Sequence, residues 1–218
     1  VAKAFGATTA LAGVDLEVGP AESVAIVGPR GSGRTTLLRI LATLMPPTSG
    51  RVEINGLDVA SDVYRVRPLV AYAGHERIEG NRLRVEEYLR FVAAARQRPV
   101  SSIVPLTALL GLDPRAAIAT LAADVQPRVA LVAALVAAPA VLLLDEPFRA
   151  LETAAHAGLV HWLQDARAAG ATIIVSGSAA DDMSQIGQRM VHLEAGRLIE
   201  SSTSRQAAAR PPAELVGA

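Results

Sequence analysis

Gly28-Pro29-Arg30-Gly31-Ser32-Gly33-Arg34-Thr35-Thr36 is the stretch on which the fold turns. Ahead of it, residues 23–27 form a short apolar run ending at Gly28, the pattern of a buried strand. Behind it, Leu37, Leu38, Ile40, Leu41 and Leu44 recur at helical spacing from Arg34 onward. Strand, glycine-rich turn and helix in that order make a phosphate-binding loop of the Walker A kind. The glycines let the backbone wrap so that successive N–H groups point inward, and the helix start adds its positive dipole end. Thr35 falls where a hydroxyl would hold Mg²⁺. One residue departs from the pattern, which wants lysine and has Arg34. Lysine is a compact point charge and arginine a planar fork, so the exchange is not conservative. Drift without loss of binding and impaired catalysis are both open, and they are compatible.

Val141-Leu142-Leu143-Leu144-Asp145-Glu146-Pro147 is the second decisive stretch. Four aliphatics followed by two carboxylates read as a buried strand with acids at its carboxyl end. Asp145 can reach a Mg²⁺ shell, and Glu146 can orient or deprotonate an attacking water.

Around these anchors the elements fall into order. Val14, Leu16 and Val18 alternate with Asp15 and Glu17, which predicts a half-buried antiparallel strand within 11–27. Helix 1 is expected to run to Pro46-Pro47. A strand over 51–54 leads into an Asn55-Gly56 hairpin, and 69–73 is a further strand. From Val85 to about Leu135 the pattern is helical, broken by a loop over 99–105, with a short helix over 106–110 stopped by Gly111. Asp124 precedes a helix reaching about Ala138. Residues 152–169 read as helix, 172–175 as strand, and 189–193 with 197–200 as a hairpin about Ala195-Gly196. The order defines an α/β core with a helical insertion.

Composition sets the outer limits. The 218 residues carry 21 basic and 21 acidic groups, are 51% hydrophobic and 3% aromatic, and contain no cysteine. Such a chain forms one domain, or one domain with an inserted sub-domain, and disorder is excluded for most of it. Charge balance argues against nucleic acid bound through bulk charge. Without cysteine there is no disulfide framework and no thiol chemistry, which fits a reducing compartment. Lys3 is the sole lysine, and the arginine bias reads as GC-rich coding. No signal peptide is expected, and the first residues, lacking Met, look trimmed or incomplete. The longest apolar run, 129–144, is interrupted by Pro139 and falls short of a bilayer span.

On GPRGSGRTT (28–36), LLLDEP (142–147) and PPTSGRVEINGLDV (46–59), the chain resembles the ATP-binding subunits of ABC transporters, from Phe5 to about Glu200. The resemblance implies a P-loop NTPase (RecA-like) core with an N-terminal antiparallel β sub-domain. It also implies an α-helical sub-domain, about 76–138, within a nucleotide-binding domain over 1–200. The Ser/Ala/Pro-rich 201–218 then form a tail, partly mobile. ATP and Mg²⁺ are the expected ligands, held by residues 28–36, with Thr35, Asp145 and His75 at the metal. Phe5 either stacks on adenine or packs in the core. A head-to-tail dimer would sandwich two ATP molecules and dock on integral membrane subunits at the cytoplasmic face of the membrane, with no nucleic acid involved. GHE (74–76), RVEEYLRFVA (84–93) and DEPF (145–148) look most like short exporter-type ATPases.

Several motifs of that family are altered. The signature LSGGQ is matched by Leu121-Ala122-Ala123-Asp124-Val125. Asp124 would place a carboxylate where the partner's phosphate docks, and two unit charges about 4 Å apart repel by about 4 kcal/mol at an effective dielectric near 20, roughly a thousandfold in affinity. Asp124 also fits a helix N-cap, with Pro127 in the first turn. The metal-sensing glutamine falls at His75 and the switch histidine at Ser178. The SALD loop reads Arg149-Ala150-Leu151-Glu152. His156, His161 and His192 read as structural. Arg77, Arg82, Arg84 and Arg90 mark either a membrane-subunit contact near 75–88 or a solvated face.

In a homodimer both composite sites would be defective. With an intact partner, each site would still hold one altered half, so slow turnover is expected and a heterodimer is favoured. Three functions compete: a nucleotide-binding subunit with weak hydrolysis, a fully active transport ATPase, and a regulatory subunit that has lost nucleotide. A soluble DNA-repair or translation-factor relative and a small-molecule kinase fit the length and motif order less well.

Overall fold

The computed structural model describes residues 1–75, 78, 82–149, 151–178, 185, 186 and 188–203. Glu76, Arg77 and Ala150, singled out above within GHE, the 75–88 arginines and the altered SALD loop, lie outside the described residues, as does the tail beyond 203.

The chain opens with an antiparallel hairpin of β1 (Ala2–Phe5) and β2 (Thr8–Ala12). Residues 13–19 are not a strand, which corrects the expectation drawn from Val14, Leu16 and Val18. Their alternation is real as burial, since all three pack toward the core while Asp15 and Glu17 are exposed. Alternation reports which side chains face inward, and it cannot report whether a neighbouring strand supplies a ladder.

β3 (Ser23–Val27) is buried throughout and feeds the glycine-rich loop and α1 (Arg34–Leu41). The helix stops before the two prolines. Thr43 adopts a left-handed φ of 59°, and Leu44 N–H reaches back to Arg39 O at 2.9 Å, a C-terminal closure that prolines two residues on do not cause. β4 (Glu53–Ile54) and β5 (Leu57–Asp58) form the expected hairpin, with Asn55 and Gly56 both at positive φ. A short helix, α2 (Val63–Val66), precedes β6 (Val70–Ala73).

Between β6 and the next strand lie α3 (Val85–Ala95), α4 (Ile103–Leu109) and α5 (Gln126–Ala137). The loop expected over 99–105 is in fact a 3-10 turn over 100–102 running into α4, with Pro105 inside its first turn. Proline fits there because N–H groups of a first turn have no intrahelical acceptor. α5 is apolar nearly all round and buries eight residues from Val129 to Ala137. β7 (Val141–Asp145), α6 (Thr153–Ala168), β8 (Thr172–Gly177), β9 (Arg189–Glu194) and β10 (Arg197–Thr203) complete the described chain. β10 carries regular structure past Ser201, where the tail was expected to begin.

The six-stranded sheet has the order β10-β9-β3-β8-β7-β6. β9, β3, β8, β7 and β6 are parallel, and β10 pairs antiparallel with β9. Successive residues of a strand face opposite sides, so β7 feeds two cores. Leu142 and Leu144 join α3, α4, α5 and α6 on one face. Val141 and Leu143 join α1 and the N-terminal hairpin on the other. Each fully buried aliphatic contributes roughly 1.5–3 kcal/mol, enough to fix β7 in register. Parallel pairing then puts the carboxyl ends of β3, β6, β7 and β8 along one rim, where open α/β sheets bind ligands.

Candidate nucleotide site

The loop after β3 is shaped by close approach. A Cβ on Gly28 would lie 2.0 Å from Leu193 O on β9, so only glycine lets the loop leave the sheet there. Gly33, at φ 106°, caps α1 without any side-chain hydrogen bond, and Leu37 N–H is the first helical amide to bond back to it, at 2.9 Å. The amides before Leu37 have no acceptor within the helix, the arrangement that receives anions. Ser32 Oγ is buried with no hydrogen-bond partner among the described residues, a further polar group that a phosphate would satisfy.

Thr35 Oγ1 donates to Asp145 Oδ2 at 2.6 Å. Ser176 Oγ donates to the other oxygen, Oδ1, at 2.5 Å, and Asp145 is buried. A hydroxyl and a carboxylate meeting on a rim beside a phosphate loop form the oxygen-only donor pair that Mg²⁺ takes, so the residues fit that ion. Ser176 also accepts from Glu146 N at 3.2 Å. The sequence pattern alone did not single out Ser176. Its signal is a hydroxyl that follows Ile173, Ile174 and Val175 near the end of a buried strand, and the β7–β8 register pairs it with Asp145.

Arg34 is the feature with most chemical consequence. Its side chain is 6% exposed and folds back over its own loop. One guanidinium nitrogen donates to Pro29 O at 3.2 Å and the other to Glu146 Oε1 at 2.5 Å. Nε has no partner among the described residues. Glu146 stands at φ 50°, turned out of β7. Its Oε2 lies 3.4 Å from His75 Nε2 and 3.7 Å from Arg149 Nη1. The planar fork sends one terminal nitrogen to the carbonyl and the other to the carboxylate, contacts that a lysine would have to make from a single nitrogen.

The remaining candidates are distributed as follows. His75 Nε2 lies 3.4 Å from Glu146 Oε2, and His75 lines one cleft together with Asp145. Ser178 is exposed at the end of β8. Leu121 and Val125 are half-buried, and Ala122, Ala123 and Asp124 are exposed. Asp124 is not a cap, contrary to the capping alternative: Val125 occupies the N-cap with no side-chain hydrogen bond, and Ala122 O receives the N–H groups of Val125 and Gln126. Asp124 instead lines a cleft of about 330 Å³ together with His75, Glu146 and Arg149. Phe5 is 50% exposed, which removes the core alternative, and Lys3 Nζ stands 5.2 Å from its ring centre. His156 packs on Phe148, their rings 4.5 Å apart.

A phosphate loop and an Asp-Glu strand end on the carboxyl rim of a mainly parallel sheet make this a P-loop NTPase fold. The profile of the ABC transporter family matches residues 11–149, and the chain belongs to that family. It is similar to an iron(III) import ATP-binding protein of Rhodococcus jostii, with 35% identity over all of this chain and 66% of that protein. It is also similar to a daunorubicin resistance ATP-binding protein of Streptomyces coeruleorubidus, with 30% identity over 93% of this chain and 66% of that one. The chain thus spans 66% of the length of both. The solved structure of an ATP-binding subunit of an ABC transporter superposes with a TM-score of 0.83 at 26% identity, over 93% of this chain and 87% of the other. A dimeric bacterial ABC transporter cassette gives 0.82 at 22%, over 93% and 96%, a likeness of fold. No helix among the described residues is long and apolar enough to cross a membrane.

Proposed function

We propose that the chain is the ATP-binding subunit of an ABC transporter complex that binds Mg²⁺-ATP and passes its motion to membrane subunits, with weak or partner-dependent hydrolysis. The Gly28–Thr36 loop holds the phosphates, and Phe5 offers an exposed ring for the base. Thr35 and Asp145, with His75 nearby, would hold Mg²⁺, which supplies charge neutralisation at the phosphates. Glu146 is the residue that would orient water. By the resemblance, Leu121 to Val125 would supply the altered signature and Ser178 the switch position. The single observation that carries weak hydrolysis is the 2.5 Å bond between Arg34 and Glu146: the carboxylate that should meet water is held by the residue that should meet phosphate.

The proposed setting is the cytoplasmic face of a membrane, bound to integral membrane subunits and to a second, non-identical ATP-binding subunit. The proposed division is a nucleotide-binding domain over 1–200 with a helical sub-domain about 76–138, then a tail. The exporter-type resemblance of 74–76, 84–93 and 145–148 remains a proposal, and the similar proteins include an iron import and a daunorubicin resistance protein.

The test is Glu146→Gln in this chain alone, within the purified complex. Turnover is expected to change by less than about threefold, against the roughly 100- to 10,000-fold loss that follows removal of a working general base. A loss in that upper range means that this chain's own site hydrolyses ATP and that the fully active reading is right.

A further inference from the structure

The rim opposite the nucleotide site carries a larger cleft, of about 550 Å³. It opens at the amino ends of β7 and β8, beside Val141 and Thr172, whereas the phosphate loop lies at the carboxyl ends. Its lining is mainly apolar: Leu37 and Leu41 come from α1, Leu143 and Ile174 from the sheet, and Leu16 and Val18 from the segment before β3, with β4 alongside. Two of these bordering segments are not tied to each other. β4 pairs with β5 alone in a two-stranded sheet, and residues 13–19 join no sheet. The N–H groups of Asp15, Leu16 and Val18 have no partner among the described residues. Leu16, Val18 and Leu41 are only half-buried, so they leave apolar surface to solvent inside a concave space. Pockets for small organic molecules measure roughly 300–1,000 Å³ and are mostly apolar, with few polar groups.

The polar groups around the cleft select the charge of its guest. Arg51, its one side-chain cation, is already shared by Glu53 Oε1 at 2.7 Å and Asp58 Oδ2 at 3.1 Å. The Val1 amino group donates to Val14 O at 2.7 Å. Asp15 is exposed, and its carboxylate has no hydrogen-bond or ion-pair partner among the described residues. Three carboxylates, Asp15, Glu53 and Asp58, thus stand against two cations, and the one left over is Asp15. We propose that the cleft binds an amphipathic cation, its hydrocarbon body against Leu37, Leu41, Leu143 and Ile174 and its ammonium head on Asp15. No residue of the cleft belongs to the nucleotide site, so the inference stands apart from the nucleotide reading.

Calorimetry on the full chain tests it with octylammonium, octanol and octanoate, which share a tail and differ in head charge. Octylammonium is expected to bind about three- to fivefold more tightly than octanol, the scale of an exposed ion pair, and octanoate more weakly than either. Asp15→Asn should bring octylammonium to within about twofold of octanol. Leu41→Trp, which fills the cleft from α1, should weaken both roughly tenfold, the loss of about two buried methylenes. Amide shifts of Val14, Leu16 and Ile54 in the unsubstituted chain locate the bound tail, whether or not the tryptophan variant folds. No saturable binding of any of the three, or shifts confined to other parts of the chain, overturns the cleft as a ligand site. Octanoate bound as tightly as octylammonium, or a preference for octylammonium that survives Asp15→Asn, overturns the cationic guest held by Asp15.

Discussion

Breaking the Arg34–Glu146 pair from either side should not cost the same, and the difference can be worked from burial. Glu146→Ala strands a guanidinium that is 6% exposed, with Pro29 O as its remaining acceptor and Nε already without one. Removing one partner of a buried ion pair costs about 3–5 kcal/mol, and the partial exposure of Glu146 places the loss near the lower figure. At about 2–4 °C per kcal/mol for a chain of this size, Tm falls by about 6–12 °C. Arg34→Ala leaves a carboxylate that is 23% exposed, still within 3.4 Å of His75 and 3.7 Å of Arg149. Its loss should be about half as large, mostly the packing of the buried stem. The double replacement Arg34→Met with Glu146→Leu removes both charges and should recover most of the stability, as apolar substitutes for buried pairs do. Thermal and urea unfolding of the four proteins without nucleotide measure all of this. Equal losses in the two single variants, or strictly additive losses in the double, would refute the account of Arg34 as a buried group dependent on Glu146.

Three further outcomes are expected. Ser176→Ala deprives buried Asp145 of the donor on Oδ1 and should lower stability by about 1–3 kcal/mol, read in urea; Ser176→Thr, which keeps the hydroxyl, should lose less. Gly28→Ala drives a methyl to 2.0 Å from Leu193 O and should part β9 from the loop, lowering Tm well beyond the effect of Gly31→Ala, where nothing lies within 4 Å of the new methyl, although its left-handed backbone still carries a penalty of about 1 kcal/mol. The Asp58 carboxyl is held below the usual carboxylate range by the N–H groups of Ser61 and Ala60 and by Arg51. A lowered folded pKa means that its contribution is complete above about 3.9 and fades as pH falls through the lower folded value. Amide signals of Ala60 and Ser61 should report that acid transition by NMR, and Asp58→Asn should abolish it.

The parts of the fold fixed by local chemistry were legible in the sequence. β3, the loop and α1 follow from an apolar run, glycines and helical spacing, and the hairpins at Asn55-Gly56 and Ala195-Gly196 follow from Asn55 and the two glycines, which tolerate positive φ, with Ala195 carried into that region at φ 46°. What was not legible depends on partners distant in sequence. Val14, Leu16 and Val18 show their inward faces but find no ladder. Thr43 ends α1 in a left-handed turn that its residue type does not advertise. Asp124 looks like a cap, yet the backbone turn at Ala122 performs that task. At the site, the residue types were evident, whereas the ion pair between Arg34 and Glu146, 112 positions apart, and the bridging of Asp145 and Glu146 by Ser176 required the sheet order β3-β8-β7 to be known.

Two backbone hydrogen bonds at one turn bear on how the protein is made. Ser32 O accepts from Gly196 N–H at 3.0 Å, and Gly196 O accepts from Ala12 N–H at 2.8 Å. The glycine turn between β9 and β10 therefore latches two segments that leave the ribosome far earlier. Neither latch can close on the nascent chain before residue 196 has emerged. The cradle at residues 28–36 is finished by the turn at Gly196, so a chain truncated within α6 would lack the final strut of its own phosphate loop.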